Sequence, residues 1–130
     1  MGNDWFKDIC DFHREVMLDV FPNRPHIPPK KFIELRKKLI REEVGETLDA
    51  IEANDLIELA DGICDAIVVL LGTAVTYGID IRPVWDEVHK TNMAKAAGPM
   101  REDGKRLKPV GWRPPEVARL LRLQDTGYET

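Results

Sequence analysis

The sequence predicts an all-α protein: a four-helix bundle followed by a C-terminal loop and a short helix, in one domain over residues 1–130. Three observations carry this prediction. Apolar residues recur at three- and four-residue spacing through successive segments, the period of a helix face. Strong breakers separate those segments: the proline-rich stretch 22–29, the Asn54-Asp55 pair and Gly78. The Asn54-Asp55 connection is short, which makes the helices on either side of it an antiparallel hairpin.

The first helix is expected over 4–21, where Trp5, Ile9, Phe12, Val16 and Val20 form the periodic stripe and Pro22 stops it. His13 stands beside Phe12 and reads either as a surface or partly buried histidine or as a ligand contact. The loop 22–29 holds four prolines, and Pro28-Pro29 opens the second helix. Phe32, Leu35 and Leu39 form its apolar stripe. Continued by three or four residues, that stripe reaches Glu42 or Glu43, then Glu46, then Ala50, so acids extend the core-facing line. Asn54 ends the helix and Asp55 caps the third, expected over 56–77 with Gly78 as its stop. Asp55 and Glu58 also fit a capping box, a structural role for Glu58 that leaves Asp61 and Asp65 unexplained. From 63 to 75 the third helix is apolar on nearly every side, which predicts burial all round and one face packed on another subunit.

The fourth helix is expected over 83–97. Val84, Val88, Asn92 and Lys95 share one stripe, so Asn92 and Lys95 read either as surface residues or as polar groups facing the acids. Residues 98–115 are rich in Gly, Pro and basic residues, and Asp103-Gly104 marks a tight turn. Lys105, Arg106 and Lys108, with Trp112 close by, read either as a solvated segment or as a basic flap over phosphates with an aromatic to stack on a base. A short helix from 115 to about 123 closes the fold, and the last residues are expected to be loose.

The acids repay a closer count. Nine acidic residues fall between 41 and 65. Glu42, Glu43 and Glu46 lie on one turn-spaced cluster, and Glu58, Asp61 and Asp65 on another. Glu46 lies eight residues before Asn54 and Asp61 seven after it; Glu43 lies eleven before and Asp65 eleven after. With an equal rise per residue on both helices, the two clusters come level on facing stripes. So many carboxylates in one half-buried patch repel and are costly to desolvate. A hard divalent cation with oxygen ligands answers both problems, magnesium or manganese before zinc.

Composition narrows the classes. A hydrophobic fraction of 43% and a charged fraction of 32% describe a folded soluble chain. A net charge of -4 argues against a general nucleic-acid binder. Cys10 and Cys64 sit in apolar surroundings and are expected as buried free thiols. The N-terminus has no apolar core of a signal peptide, and the apolar run 66–75 is too short to span a bilayer, so no membrane association and a cytoplasmic location are expected. There is no P-loop, no Gly-rich dinucleotide fingerprint and no Ser-His-Asp arrangement. A di-iron bundle needs two Glu-x-x-His elements, and only Asp86 with His89 comes near one. An acid-rich metal site with lysines and a basic flap suits phosphate chemistry: metal ions neutralise phosphate oxygens and activate a water, and cations stabilise the leaving group.

The spacing Glu42-Glu43-x-x-Glu46, eleven residues, then Glu58-x-x-Asp61 resembles the signature of the all-α nucleoside triphosphate pyrophosphohydrolases, the MazG-like superfamily. The segments VHKTNMAK and EDGKRLKPVGW resemble its phosphoribosyl-ATP-diphosphatase-like subgroup, which includes dUTPase-like enzymes. The resemblance covers nearly the whole chain. It implies a four-helix bundle, assembled as a homodimer or a dimer of dimers. It implies magnesium-dependent hydrolysis between the α and β phosphates of a (deoxy)nucleoside triphosphate, dUTP or dCTP being candidates, in nucleotide-pool house-cleaning. By position Glu43, Glu46, Glu58 and Asp61 match the metal ligands, Glu42 the residue that orients or deprotonates water, and Asn92 and Lys95 substrate contacts. His13, Lys108, Trp112 and Asp65 are looser matches. Phosphoribosyl-ATP as substrate, or a non-enzymatic oligomerisation module with a structural cation, are the alternatives.

Overall fold

The computed structural model describes residues 3–126. Their regular structure is helical, α1 Trp5–Phe12, α2 Lys30–Glu52, α3 Leu56–Thr76, α4 Ile81–Met93 and α5 Val117–Thr126, with one isolated antiparallel bridge between Met100 and Arg106. The all-α class is therefore met. The chain gathers into two compact units, Met1–Ile79 and Asp80–Thr130.

In the first unit, Asp4 starts α1 by accepting the backbone N–H of Lys7 at 2.9 Å. The helix ends earlier than the proline predicts. It loosens into a π turn over His13–Met17 and stops at Leu18, whose φ of 57° is left-handed. The Asp19 N–H closes this turn on the His13 carbonyl at 2.9 Å, and the Asp19 carboxylate meets His13 Nδ1 at 3.1 Å. The expected stripe also shifts. Phe6, Ile9 and His13 are buried, whereas Trp5, Phe12, Val16 and Val20 are exposed. Three-and-four spacing counted from Phe6 rather than Trp5 gives the face that meets α3.

Helices α2 and α3 form the antiparallel hairpin. Asn54, at φ 55°, ends the first, and the Asp55 side chain caps the second on Glu58 N–H at 3.1 Å. On α2 the inward line is Phe32, Arg36, Glu43, Thr47 and Ala50. Leu35, expected inside, is exposed, and Arg36 takes the core place one residue on. Arg36 Nη2 donates to the Val69 carbonyl at 2.8 Å and Nε to Thr73 Oγ1 at 3.2 Å, so a buried cation is satisfied by polar groups of α3. Gly72 makes room for it: a Cβ there would lie 2.6 Å from Arg36 Nη2 and 2.6 Å from His13 Nε2. At the other end Thr47 Oγ1 lies 3.0 Å from where a Gly62 Cβ would be. These two close approaches set the register of the hairpin.

Helix α3 is buried along Gly62, Val69, Gly72, Ala74 and Thr76. It is not buried all round in this chain: Ile63 and Leu70 are about half exposed, and Cys64 is exposed rather than the buried thiol expected, because it lies off the line facing α2. Cys10 is half-buried. By length and composition α3 could cross a membrane, with 21 residues and mean hydropathy 1.8, a test that core helices of soluble proteins also pass. Gly78, at φ 71°, ends the helix where the Arg24 and Pro22 carbonyls press against its Cα, a place with no room for a side chain.

In the second unit, Asp80 caps α4 on Arg82 N–H at 3.1 Å. Gln124 of α5 pairs with the Asp80 backbone on both sides, accepting its N–H and donating to its carbonyl, each at 2.9 Å. Glu87 of α4 caps α5 by accepting Glu116 N–H at 2.9 Å, which holds its carboxyl below the ordinary value. Helix α4 stops at Met93 rather than near 97, and Ala94–Ala97 tighten into a 3-10 turn. The predicted turn is present: Gly104 N–H bonds the Arg101 carbonyl at 2.9 Å, and Arg101 N–H the Lys105 carbonyl at 2.7 Å. Helix α5 runs beyond the expected end at about 123, to Thr126. The expectation of loose final residues concerns 127–130, outside the described residues.

Candidate active site

Two groups of predicted residues are brought together, one in each unit. In the first, α2 presents Glu42, Glu43 and Glu46, and α3 brings Asp65 to the same height. Glu43 lies on the inward line and is half-buried; Glu42 and Glu46 are exposed. The Glu43 carboxyl is held above its ordinary value, first by a hydrogen bond with the Glu46 carboxyl, then by desolvation, then by the charges of Glu46, Asp65 and Glu42. The structure thus crowds negative charge around Glu43.

Glu58 and Asp61 are exposed on the first turns of α3. The Glu58 backbone takes the Asp55 cap, as the capping-box reading expects. Among the described residues no three His, Cys, Asp or Glu side chains converge closely enough to form a ready cage for an ion. The donor chemistry still fits a hard divalent cation: carboxylate oxygens on two facing helices. Asp65, loosely matched by sequence, is the α3 acid that the geometry ties most directly to Glu43.

His13 stands apart from these acids. It is 3% exposed, bonded to Asp19 and packed near Arg36 and Gly72. Burial holds its pKa below the ordinary 6.5; the Asp19 hydrogen bond opposes this and the Arg36 charge adds to it. A folded-state pKa below the unfolded one means stability that is present above pH 6.5 and lost as pH falls through the lower, folded value. Melting temperature is therefore expected to drop between pH 7 and pH 5, and His13→Gln is expected to flatten that part of the profile. An unchanged slope in the variant would remove His13 from this role.

In the second unit, Asn92, Lys95, Lys108 and Trp112 converge, although they were chosen from separate segments. Trp112 Nε1 donates to the Thr91 carbonyl at 2.7 Å, fixing the indole to the end of α4. Lys95 Nζ lies 5.2 Å from the ring centroid and Lys108 Nζ 4.8 Å. Lys95 also donates to Asn92 Oδ1 at 3.1 Å. Thr91, buried and missed by sequence reasoning, supplies the anchor through its backbone, which no side-chain pattern reveals. The hairpin that delivers Lys108 is held by Arg106 Nη1 on the Gly98 carbonyl at 2.7 Å and Leu107 N–H on the Pro99 carbonyl at 2.7 Å.

Comparison with known families decides the affiliation. The family model for phosphoribosyl-ATP pyrophosphohydrolase matches residues 9–92, well over half of the chain, with Glu42, Glu43, Glu46, Glu58, Asp61 and Asp65 inside the match. The chain belongs to that family. It is thereby a member of the MazG-like all-α superfamily, whose pyrophosphohydrolases typically work with divalent metals. The match ends at Asn92, so Lys95, Lys108 and Trp112 lie beyond it. A stretch of 49 residues is also 41% identical to the uncharacterized protein L479 of Acanthamoeba polyphaga mimivirus, covering 38% of this chain and 20% of the viral protein.

Proposed function

We propose that this protein is a pyrophosphohydrolase that cleaves a (deoxy)nucleoside triphosphate, with dUTP and dCTP as candidates, between the α and β phosphates, giving a nucleoside monophosphate and pyrophosphate. The observation that carries this reading is the level placement of the α2 acids and Asp65, which crowds negative charge where a cation would relieve it. Glu43, Glu46, Glu58 and Asp61 would hold magnesium, or manganese in its place, with Asp65 beside them. When bound, the ion supplies charge neutralisation at phosphate oxygens. Glu42 orients the attacking water and takes its proton. Lys95, Lys108 and Asn92 bind phosphate oxygens, and the charges of the two lysines stabilise pyrophosphate as it leaves.

Phosphoribosyl-ATP is the second reading, favoured by the family whose model matches residues 9–92. It carries the same α–β bond, so the chemistry is common to both. A panel of the common triphosphates and phosphoribosyl-ATP, with magnesium and pyrophosphate detection, separates them. Turnover of phosphoribosyl-ATP alone would overturn the first reading, and silence on the whole panel would overturn both.

A second copy of the chain is proposed as the partner. Leu48, Ile51, Leu56 and Ile57 on the α2–α3 hairpin are 54–81% exposed, and Ile63 and Leu70 extend this surface along α3. Sedimentation velocity is expected to show a dimer or a dimer of dimers at micromolar concentration; a monomer there would contradict this.

A further inference from the structure

We propose that Trp112 is a positioning residue that holds Lys95 and Lys108 as a two-cation clamp for the oligophosphate tail of the substrate, rather than a platform for the base. This rests on the reading of the substrate as a phosphate anhydride and adds to it the role of Trp112.

Lys95 and Lys108 are brought to one indole, and among the described residues neither forms an ion pair with a carboxylate. Two ammonium groups on one ring repel each other. The electron-rich ring face attracts each of them and offsets part of that repulsion. What is left is a local double positive charge with no protein anion against it, in a chain whose net charge is -4. An oligophosphate carries the complementary charge, and its oxygens accept from several ammonium protons at once.

The ring is also fixed. Its N–H is committed to the Thr91 carbonyl, and Thr91 is buried at the end of α4. Lys95 sits on the 3-10 turn that follows this helix and is steadied by Asn92. Lys108 arrives from the other side of the sequence, on the arm of the 101–105 turn. The two lysines would otherwise spread apart along flexible stems; the indole gives both the same seat. A base stacked on a ring face that carries a lysine would have to displace that ammonium group.

The test uses the full chain carrying Trp5→Phe and Trp85→Phe, so that Trp112 alone emits. Inorganic tripolyphosphate is the probe, since it has the anionic tail and no base. Saturable binding is expected to change Trp112 emission, and to weaken with added salt. Calorimetry is expected to show at least about a tenfold loss of tripolyphosphate affinity in Lys108→Gln and in Trp112→Leu, with Trp112→Phe retaining most of it, because a ring without the N–H still seats cations. Lys108 is exposed, so its variant keeps the test valid should Trp112→Leu fail to fold. The nucleotide ranking should stay unchanged across the variants. Trp112→Leu binding tripolyphosphate like the parent, or reordering base preference alone, would overturn the clamp. Lysine-dependent tripolyphosphate binding in a protein that hydrolyses no nucleotide would uphold the clamp while sinking the proposed substrate. Hydrolysis without such binding would sink the clamp alone.

Discussion

Glu46→Ala is expected to lower kcat/KM for the preferred triphosphate by a factor on the order of 10³ at saturating magnesium, since it removes a carboxylate from the set proposed to hold the cation that neutralises the phosphates. The same variant has an opposite effect without metal. Glu46 is the first cause holding the Glu43 carboxyl above its ordinary value, so removing it relieves a like-charge contact. The metal-free variant should melt no lower than the parent, and the rise in melting temperature on adding magnesium should shrink, because a ligand stabilises only the state that binds it. Both readouts come from one thermal scan with and without metal. Full activity in Glu46→Ala would take Glu46 out of the site. A metal-free variant that melts well below the parent would mean that Glu46 is structural.

Gly72→Ala is expected to destabilise the fold by about 2 kcal/mol, although alanine is the better helix former by about 1 kcal/mol. The added methyl would meet Arg36 Nη2 and His13 Nε2 at 2.6 Å each. Arg36 is the end of a flexible side chain, but it is 5% exposed and already committed to Val69 and Thr73. It cannot retreat without stranding a buried charge, which costs more than the contact itself. A fall in melting temperature of roughly 6–10 °C follows for a chain of this size. Gly45→Ala is the control: nothing lies within 4 Å of its Cβ, so it should be neutral or gain stability. Equal effects at Gly72 and Gly45 would show that the Arg36 cluster is not what fixes α2 on α3.

The two effects meet in the hairpin. Arg36 against Thr73, Glu43 near Asp65, and Thr47 against Gly62 are successive contacts along the same pair of helices. Counting outward from Asn54 gives this register from the sequence, because rise per residue is the same on both helices. It placed Glu43 opposite Asp65, and that pairing is the one the structure brings out. The caps at Asp55 and Gly78 and the turn at Asp103-Gly104 were equally legible, since each depends on local chemistry.

Other features were not. Arg36 sits where an apolar residue is expected, and its sequence looks like that of any surface arginine; only the Val69 carbonyl and Thr73 hydroxyl, more than thirty residues away, make it a core residue. His13 and the π turn depend on Asp19 folding back, a contact with no periodic signature. The first helix shows how a stripe can be displaced by one residue when apolar side chains occur on several faces: Trp5 and Phe6 both suit the pattern, and packing against α3 selects Phe6. For Lys95, Lys108 and Trp112, the residue types were readable but their meeting was not, because it rests on a backbone carbonyl.

The most direct test of the central claim is where the water oxygen goes. Hydrolysis of the preferred triphosphate in ¹⁸O-labelled water, followed by mass spectrometry of both products, reports the phosphorus attacked. Attack at the α phosphorus predicts label in the nucleoside monophosphate and unlabelled pyrophosphate. Label in pyrophosphate, or release of labelled single phosphate with a nucleoside diphosphate, would contradict it.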